Sequence, residues 1–212
     1  MRQSGFTLVE MIVVVSVIAI FTTVGLATFR DAGKQARDAD RQADLRLLQS
    51  AVEQYKQKNG RYPARCVTTS GSSWSGQVST VYACADGSSQ YIVGLAPEFI
   101  SALPQEKFFK GTDSGYVYTT NADGTVYKIE AKKTVESETV TYNHIMKSCD
   151  IGYVDRFGMC DNVTSIGGTP SWCQETDPTF QKSYAVWGGY ANVVGSDIVL
   201  ERQTENIICA IR

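Results

Sequence analysis

The sequence is poor in several things, and each shortage excludes something. It has one histidine, His144, and none of its cysteines stands in a C-x-x-C pair. Zinc sites use closely spaced Cys or His ligands, so a zinc centre is not expected. His144 alone reads as a surface or hydrogen-bonded side chain rather than a catalyst. No Gly-x-Ser-x-Gly elbow, phosphate loop or dinucleotide fingerprint occurs, so no catalytic residue and no enzyme activity is expected. There is no excess of positive charge: 20 Lys and Arg against 22 Asp and Glu give a net charge of −2. A nucleic-acid partner wants a basic face and is not expected either. Finally, no proline occurs between Phe6 and Tyr62. Nothing in that stretch therefore breaks a helix.

What is present begins with an apolar run of 24 residues, Phe6 to Phe29. As a helix it spans roughly 36 Å, enough for a bilayer core of about 30 Å. Its apolar residues go all round, so no face is meant for water. Its many β-branched residues suit a strand in water, but in lipid the need to satisfy every backbone group favours a helix. A secretory signal peptide is one reading, with Arg2 as its charged end and Gly25-Leu26-Ala27 as small residues for cleavage. A passive signal anchor is another. Both leave Glu10 unexplained, and an acid inside a membrane costs a few kcal/mol unless it has a partner.

The residues Gly5-Phe6-Thr7-Leu8-Val9-Glu10 closely resemble the processing motif of type IV pilins and type II secretion pseudopilins. The resemblance implies a leader, residues 1–5 (MRQSG), cut by a prepilin peptidase between Gly5 and Phe6. It implies N-methylation of Phe6 and a role in filament assembly for Glu10, the fifth residue of the mature chain. Cleavage creates an ammonium on Phe6. In low dielectric an opposite charge at contact distance counts for much more than in water. Glu10 is then the counter-charge, in the same chain or a neighbour, and a misregistered subunit would bury two unpaired charges. The implied partners are copies of the chain and other pilin-like subunits, the peptidase-methyltransferase, the inner-membrane assembly machinery and, before assembly, membrane lipid. The implied location is a single pass in the inner membrane with the globular part outside the cytoplasm, then a periplasmic or surface filament. The positive-inside rule points the other way, because Arg30, Lys34, Arg37, Arg41 and Arg46 follow the apolar run. Those residues are interleaved with Asp31, Asp38, Asp40 and Asp44. The six cysteines, all beyond the run, argue for an oxidising compartment.

Residues 6–29 are thus read as the transmembrane and filament-core half of a long helix, and residues 30–63 as its amphipathic second half. Ala36, Ala39 or Asp40, Ala43, Leu47, Leu48, Ala51, Val52 and Tyr55 form the expected apolar stripe, with Arg37, Asp38, Arg41, Asp44, Glu53 and Lys56 on the opposite, solvent face. Asn59-Gly60 is the helix stop. Lys56 to Pro63, KQKNGRYP, again resembles the pseudopilins, with Tyr62 and Pro63 folding the chain back over the helix end. Residues 64–138 are read as a pilin-like globular domain. In it, a loop between Cys66 and Cys84 is closed by a disulfide, worth about 3 kcal/mol by loop entropy. Residues 95–103 read as a short helix with Pro97 in its first turn. A hairpin follows, 116–120 and 125–131 about the turn Asn121 to Gly124. Residues 139–212 are read as a cysteine-rich C-terminal extension, with strands at 184–187, at 197–200 and at 206–211, the last two paired. The fold class expected is α+β: a long N-terminal helix on a small antiparallel sheet, with disulfide-rich decoration.

Six cysteines allow fifteen pairings. The expected ones are Cys66–Cys84, Cys149–Cys160 and Cys173–Cys209. Gly188-Gly189 reads as a tight turn, and the sequon Asn162-Val163-Thr164 as a chance match. No cofactor is expected. Calcium, which many major pseudopilins bind, is the nearest candidate. Their Leu-Pro-x-Asp-Pro stretch reads Leu103-Pro104-Gln105-Glu106-Lys107 here, and Asp86, Asp113 and Asp123 lack the spacing of a calcium loop. The rival function is an extracytoplasmic binding domain on a passive anchor, using Trp172, Tyr184, Trp187 and Tyr190.

Overall fold

A computed structural model describes residues 7–121, 123–148, 154–155, 175–189 and 210–211, with side chains except at 23–28, 154–155 and 210–211. One helix, α1 (Leu8–Asn59), runs unbroken for 52 residues. It ends at Gly60, whose φ of 77° is the left-handed cap conformation that glycine adopts without a Cβ penalty. The Gly60 N–H donates to Lys56 O at 2.8 Å. Tyr62 then turns back. Its N–H donates to Gly124 O at 2.7 Å, its hydroxyl to Glu53, and its ring meets Tyr127 edge-on at 4.5 Å.

The sheet against α1 has four antiparallel strands, β1 (Ser75–Gly76), β2 (Gly115–Thr120), β3 (Val126–Lys132) and β5 (Tyr184–Gly189), in the order β1-β2-β3-β5. The hairpin registers Gly115 on Lys132 and Thr120 on Tyr127. Alternation on β3 sends Tyr127, Ile129 and Ala131 inward. There they meet Leu45, Leu48 and Val52 of α1, Tyr116 and Tyr118 of β2, and Tyr184 and Val186 of β5. The sheet takes β5 from beyond residue 139, so its strands come from both sides of that boundary. A two-residue ladder pairs β4 (Val154–Asp155) with β6 (Ala210–Ile211), and a single-turn helix, α2 (Pro178–Gln181), is capped by Asp177.

Several expectations are corrected. The first half of the helix stripe is reversed. Ala36, Ala39 and Ala43 are exposed and Leu47 is 51% exposed, while Asp38, Arg41 and Leu45 are buried at 3%, 2% and 0%. The face expected in solvent lies against the globular part, because loops 106 and 136 supply carboxylates to Arg41. Residues 95–103 form turns rather than a helix, with one helical bond, Phe99 N–H to Leu95 O at 3.0 Å, and a cis Ala96–Pro97 bond. Proline lacks a donor and pushes the residue before it away from the helical region. Gly188 and Gly189 do not turn; they end β5 opposite Tyr127 and Val126. Ala210–Ile211 pairs with Val154–Asp155, and the expected partner 197–200 lies outside the described residues. Of the disulfides, Cys66–Cys84 is formed; Cys149, Cys160, Cys173 and Cys209 lie outside the described residues.

Candidate functional site

Two places carry the charges that distinguish this helix. The first is its beginning. Thr7 is the N-cap, extended at φ −81° and ψ 152°, and Glu10 is the third helical residue. The Thr7 N–H and hydroxyl both donate to Glu10 Oε2 at 2.8 Å, and the Glu10 N–H donates to Thr7 Oγ1 at 3.3 Å. This reciprocal capping box satisfies donors that a helix start leaves orphaned. The Thr-x-x-Glu spacing was present in the sequence and gives Glu10 a local role in capping the helix. Gly5 and Phe6 lie outside the described residues.

From Leu8 the helix stands clear of the other described residues. Leu8 is 75% exposed, Phe21 73%, and the Val and Ile residues between them are similarly uncovered. Among the described residues no helix is long and apolar enough to cross a membrane. Side chains 23–28, part of the apolar run, are outside that description.

The second place is the seat of α1 on the globular part. Arg41 donates through Nε to Glu106, through Nη1 to Asp38 Oδ1 at 2.6 Å, and through Nη2 to Glu136 Oε1 at 2.8 Å. Arg37 grips Glu136 with two parallel bonds of 2.8 and 2.7 Å. Asp38 in turn accepts the Glu136 and Ser137 N–H groups and the Ser137 hydroxyl. Burial opposes the charge on Arg41, but the three carboxylates outweigh it and raise its pKa. The hydrogen bonds from Arg37 hold Glu136 down at about 2, against the opposing effect of burial. Further along, Asp44 accepts the Tyr116 hydroxyl at 2.7 Å, and Glu53 accepts those of Tyr62 and Tyr127 at 3.0 Å.

The other candidates are placed as follows. His144 stacks on Tyr184 and lies 3.3 Å from Glu138. Asp113 accepts Lys132 and Lys133, each at 2.6 Å, and Asp86 caps a turn at the Ser88 N–H. Tyr184 is buried with its hydroxyl on Glu138, whereas Trp172 and Tyr190 lie outside the described residues.

Comparison with known proteins bears on the first of these places. Residues 1–26 match the family described as the prokaryotic N-terminal methylation motif. Over 62 residues the chain is 34% identical to the type II secretion system core protein G of Aeromonas hydrophila, covering 29% of this chain and 43% of that protein. Over 62 residues it is 38% identical to the competence protein ComGC of Halalkalibacterium halodurans, covering 29% of this chain and 61% of that protein. The chain thus spans less than two thirds of either relative. No solved structure matches it. The match over residues 1–26 and the Gly5-Phe6 to Glu10 spacing together show that the chain carries the prepilin-type N-terminal motif of the type IV pilins and type II secretion pseudopilins.

Proposed function

We propose that the protein is a structural subunit of a type IV pilus or type II secretion filament, cut after Gly5, N-methylated on Phe6 and assembled through its N-terminal helix. The observation that carries this is the methylation motif at the head of an apolar half-helix that is exposed among the described residues. Burying such a surface is favourable by about 25 cal/mol per Å², so it requires lipid first and neighbouring helices afterwards. The subunit begins in the inner membrane with its globular part outside the cytoplasm, and ends in a filament beside copies of itself and related subunits. A prepilin peptidase-methyltransferase and a membrane assembly machine act on it.

Glu10 has two parts in this reading. Oε2 is occupied by Thr7, which fixes the carboxylate at the helix start. Oε1 accepts no hydrogen bond among the described residues and is left for the ammonium that cleavage creates on Phe6, in this chain or an adjacent one. Pairing in a water-poor filament core selects the register in which both charges are matched.

The test is filament incorporation. Glu10→Ala and Glu10→Gln should leave the globular part folded and the chain in the membrane fraction, while its amount in sheared filaments falls. The Gln variant keeps the local acceptor and loses only the charge. Incorporation of Glu10→Gln at the wild-type level would remove the counter-charge role.

A further inference from the structure

The loop closed by Cys66 and Cys84 does more than decorate the sheet. Gln77 lies inside it, 2% exposed. Its side-chain amide acts as a substitute strand for the segment around residue 106. Nε2 donates to Glu106 O at 2.9 Å, and Oε1 accepts the Glu106 N–H at 2.9 Å and the Tyr116 N–H at 3.0 Å. This close approach needs the absence of a side chain at Gly115, where a Cβ would fall 2.7 Å from the Gln77 amide and φ is +108°. Glu106 held in this way presents its carboxylate to the Nε of buried Arg41. An unbroken series of contacts therefore runs from the disulfide loop through Gln77 and Glu106 to the long helix.

We propose that the Cys66–Cys84 disulfide is a redox-dependent latch, which through Gln77 and Glu106 holds the globular part on Arg41 of the helix. It forms when the two thiols pass two electrons and two protons to a disulfide-bearing oxidant, which leaves as a dithiol. Before that exchange the segment 67–83 has only its own hydrogen bonds, the pairing of β1 with β2 among them, and fixing Gln77 costs the loop entropy that the cross-link otherwise removes. A subunit that has not met the oxidant has Arg41 without its Glu106 partner and a loosely seated helix; one that has met it is rigid from residue 38 to the sheet. The latch is a property of the chain and does not depend on the filament reading.

Hydrogen exchange read by mass spectrometry on the full chain in detergent tests it. In the Cys66→Ser/Cys84→Ser variant, amides at 36–45 and 106–108 should exchange about tenfold faster or more, while β3 and β5 stay within about twofold of the oxidised wild type. Gln77→Ala, with the disulfide intact, should give the same pattern. Three outcomes overturn the proposal. One is unchanged exchange at 36–45 and 106–108 in the cysteine variant. Another is loosening in the cysteine variant but not in Gln77→Ala. The third is loss of protection across the whole sheet, which would make the disulfide a general staple.

Discussion

Arg41 shows what single residues do here. It is fully buried, and two of its three carboxylate partners, Asp38 and Glu106, are buried at 3% and 8%. Isolated, any of these charges would be expelled from an interior; together they are held because each nitrogen of the guanidinium donates to a carboxylate. Glu136 is the member through which acid reaches the cluster. Its pKa is depressed in the folded chain, to about 2, chiefly by the Arg37 fork. A depressed carboxylate stabilises the fold above its unfolded pKa of about 4.5, and that contribution is lost as pH falls through the folded value. Thermal melting should therefore show stability declining from about pH 5 towards pH 2, with a shallower decline in Glu136→Gln, which cannot titrate. An identical acid limb in the variant would place the linkage elsewhere.

At the scale of elements, α1 is the informative case. Its buried positions 38, 41, 45, 48 and 52 recur at three- and four-residue steps, so the helical period is kept while its chemistry changes from charged to apolar along the length. Leu48 is fully buried and Leu47 is half exposed. Leu48→Ala should cost about 2–5 kcal/mol in chemical denaturation, and Leu47→Ala about 0.5 kcal/mol or less. Equal costs would contradict the rotation of the helix seen here. The same contrast explains what could be read beforehand. The helix length, the Gly60 stop and the hairpin about Asn121–Gly124 follow from local signals, and so were legible. The lower helix stripe, Leu48 to Tyr55, was legible because it is apolar. The upper part was not, because apolarity is a poor guide where a face is buried by ion pairs whose partners, Glu106 and Glu136, lie 65 and 95 residues away. Residues 95–103 misled for the opposite reason: the composition suits a helix, and the proline inside it does not. The capping box at Thr7-x-x-Glu10 was present but overshadowed by the motif that contains it.

At the scale of the whole molecule, the long helix α1 has unlike halves. The C-terminal half of α1 is seated by tyrosines, leucines and the Arg41 cluster on a four-stranded sheet, and this half accounts for the stability of the globular part. The N-terminal half makes no such contacts among the described residues and exposes an apolar surface headed by Thr7 and Glu10. In the proposed subunit, the sheet end holds the shape and the bare helix end holds the assembly together. In that proposal the charge pair at residues 6 and 10 sets the register between subunits. Everything in that account depends on a new amino terminus at Phe6.

Mass spectrometry of the N-terminal peptide from the protein in its native host examines that point most directly. The account predicts a chain that starts at Phe6 and carries one added methyl group on its amine. A chain that keeps Met1, or one that starts beyond Ala27, would contradict it: the first would be a static anchor and the second a secreted domain without the helix head.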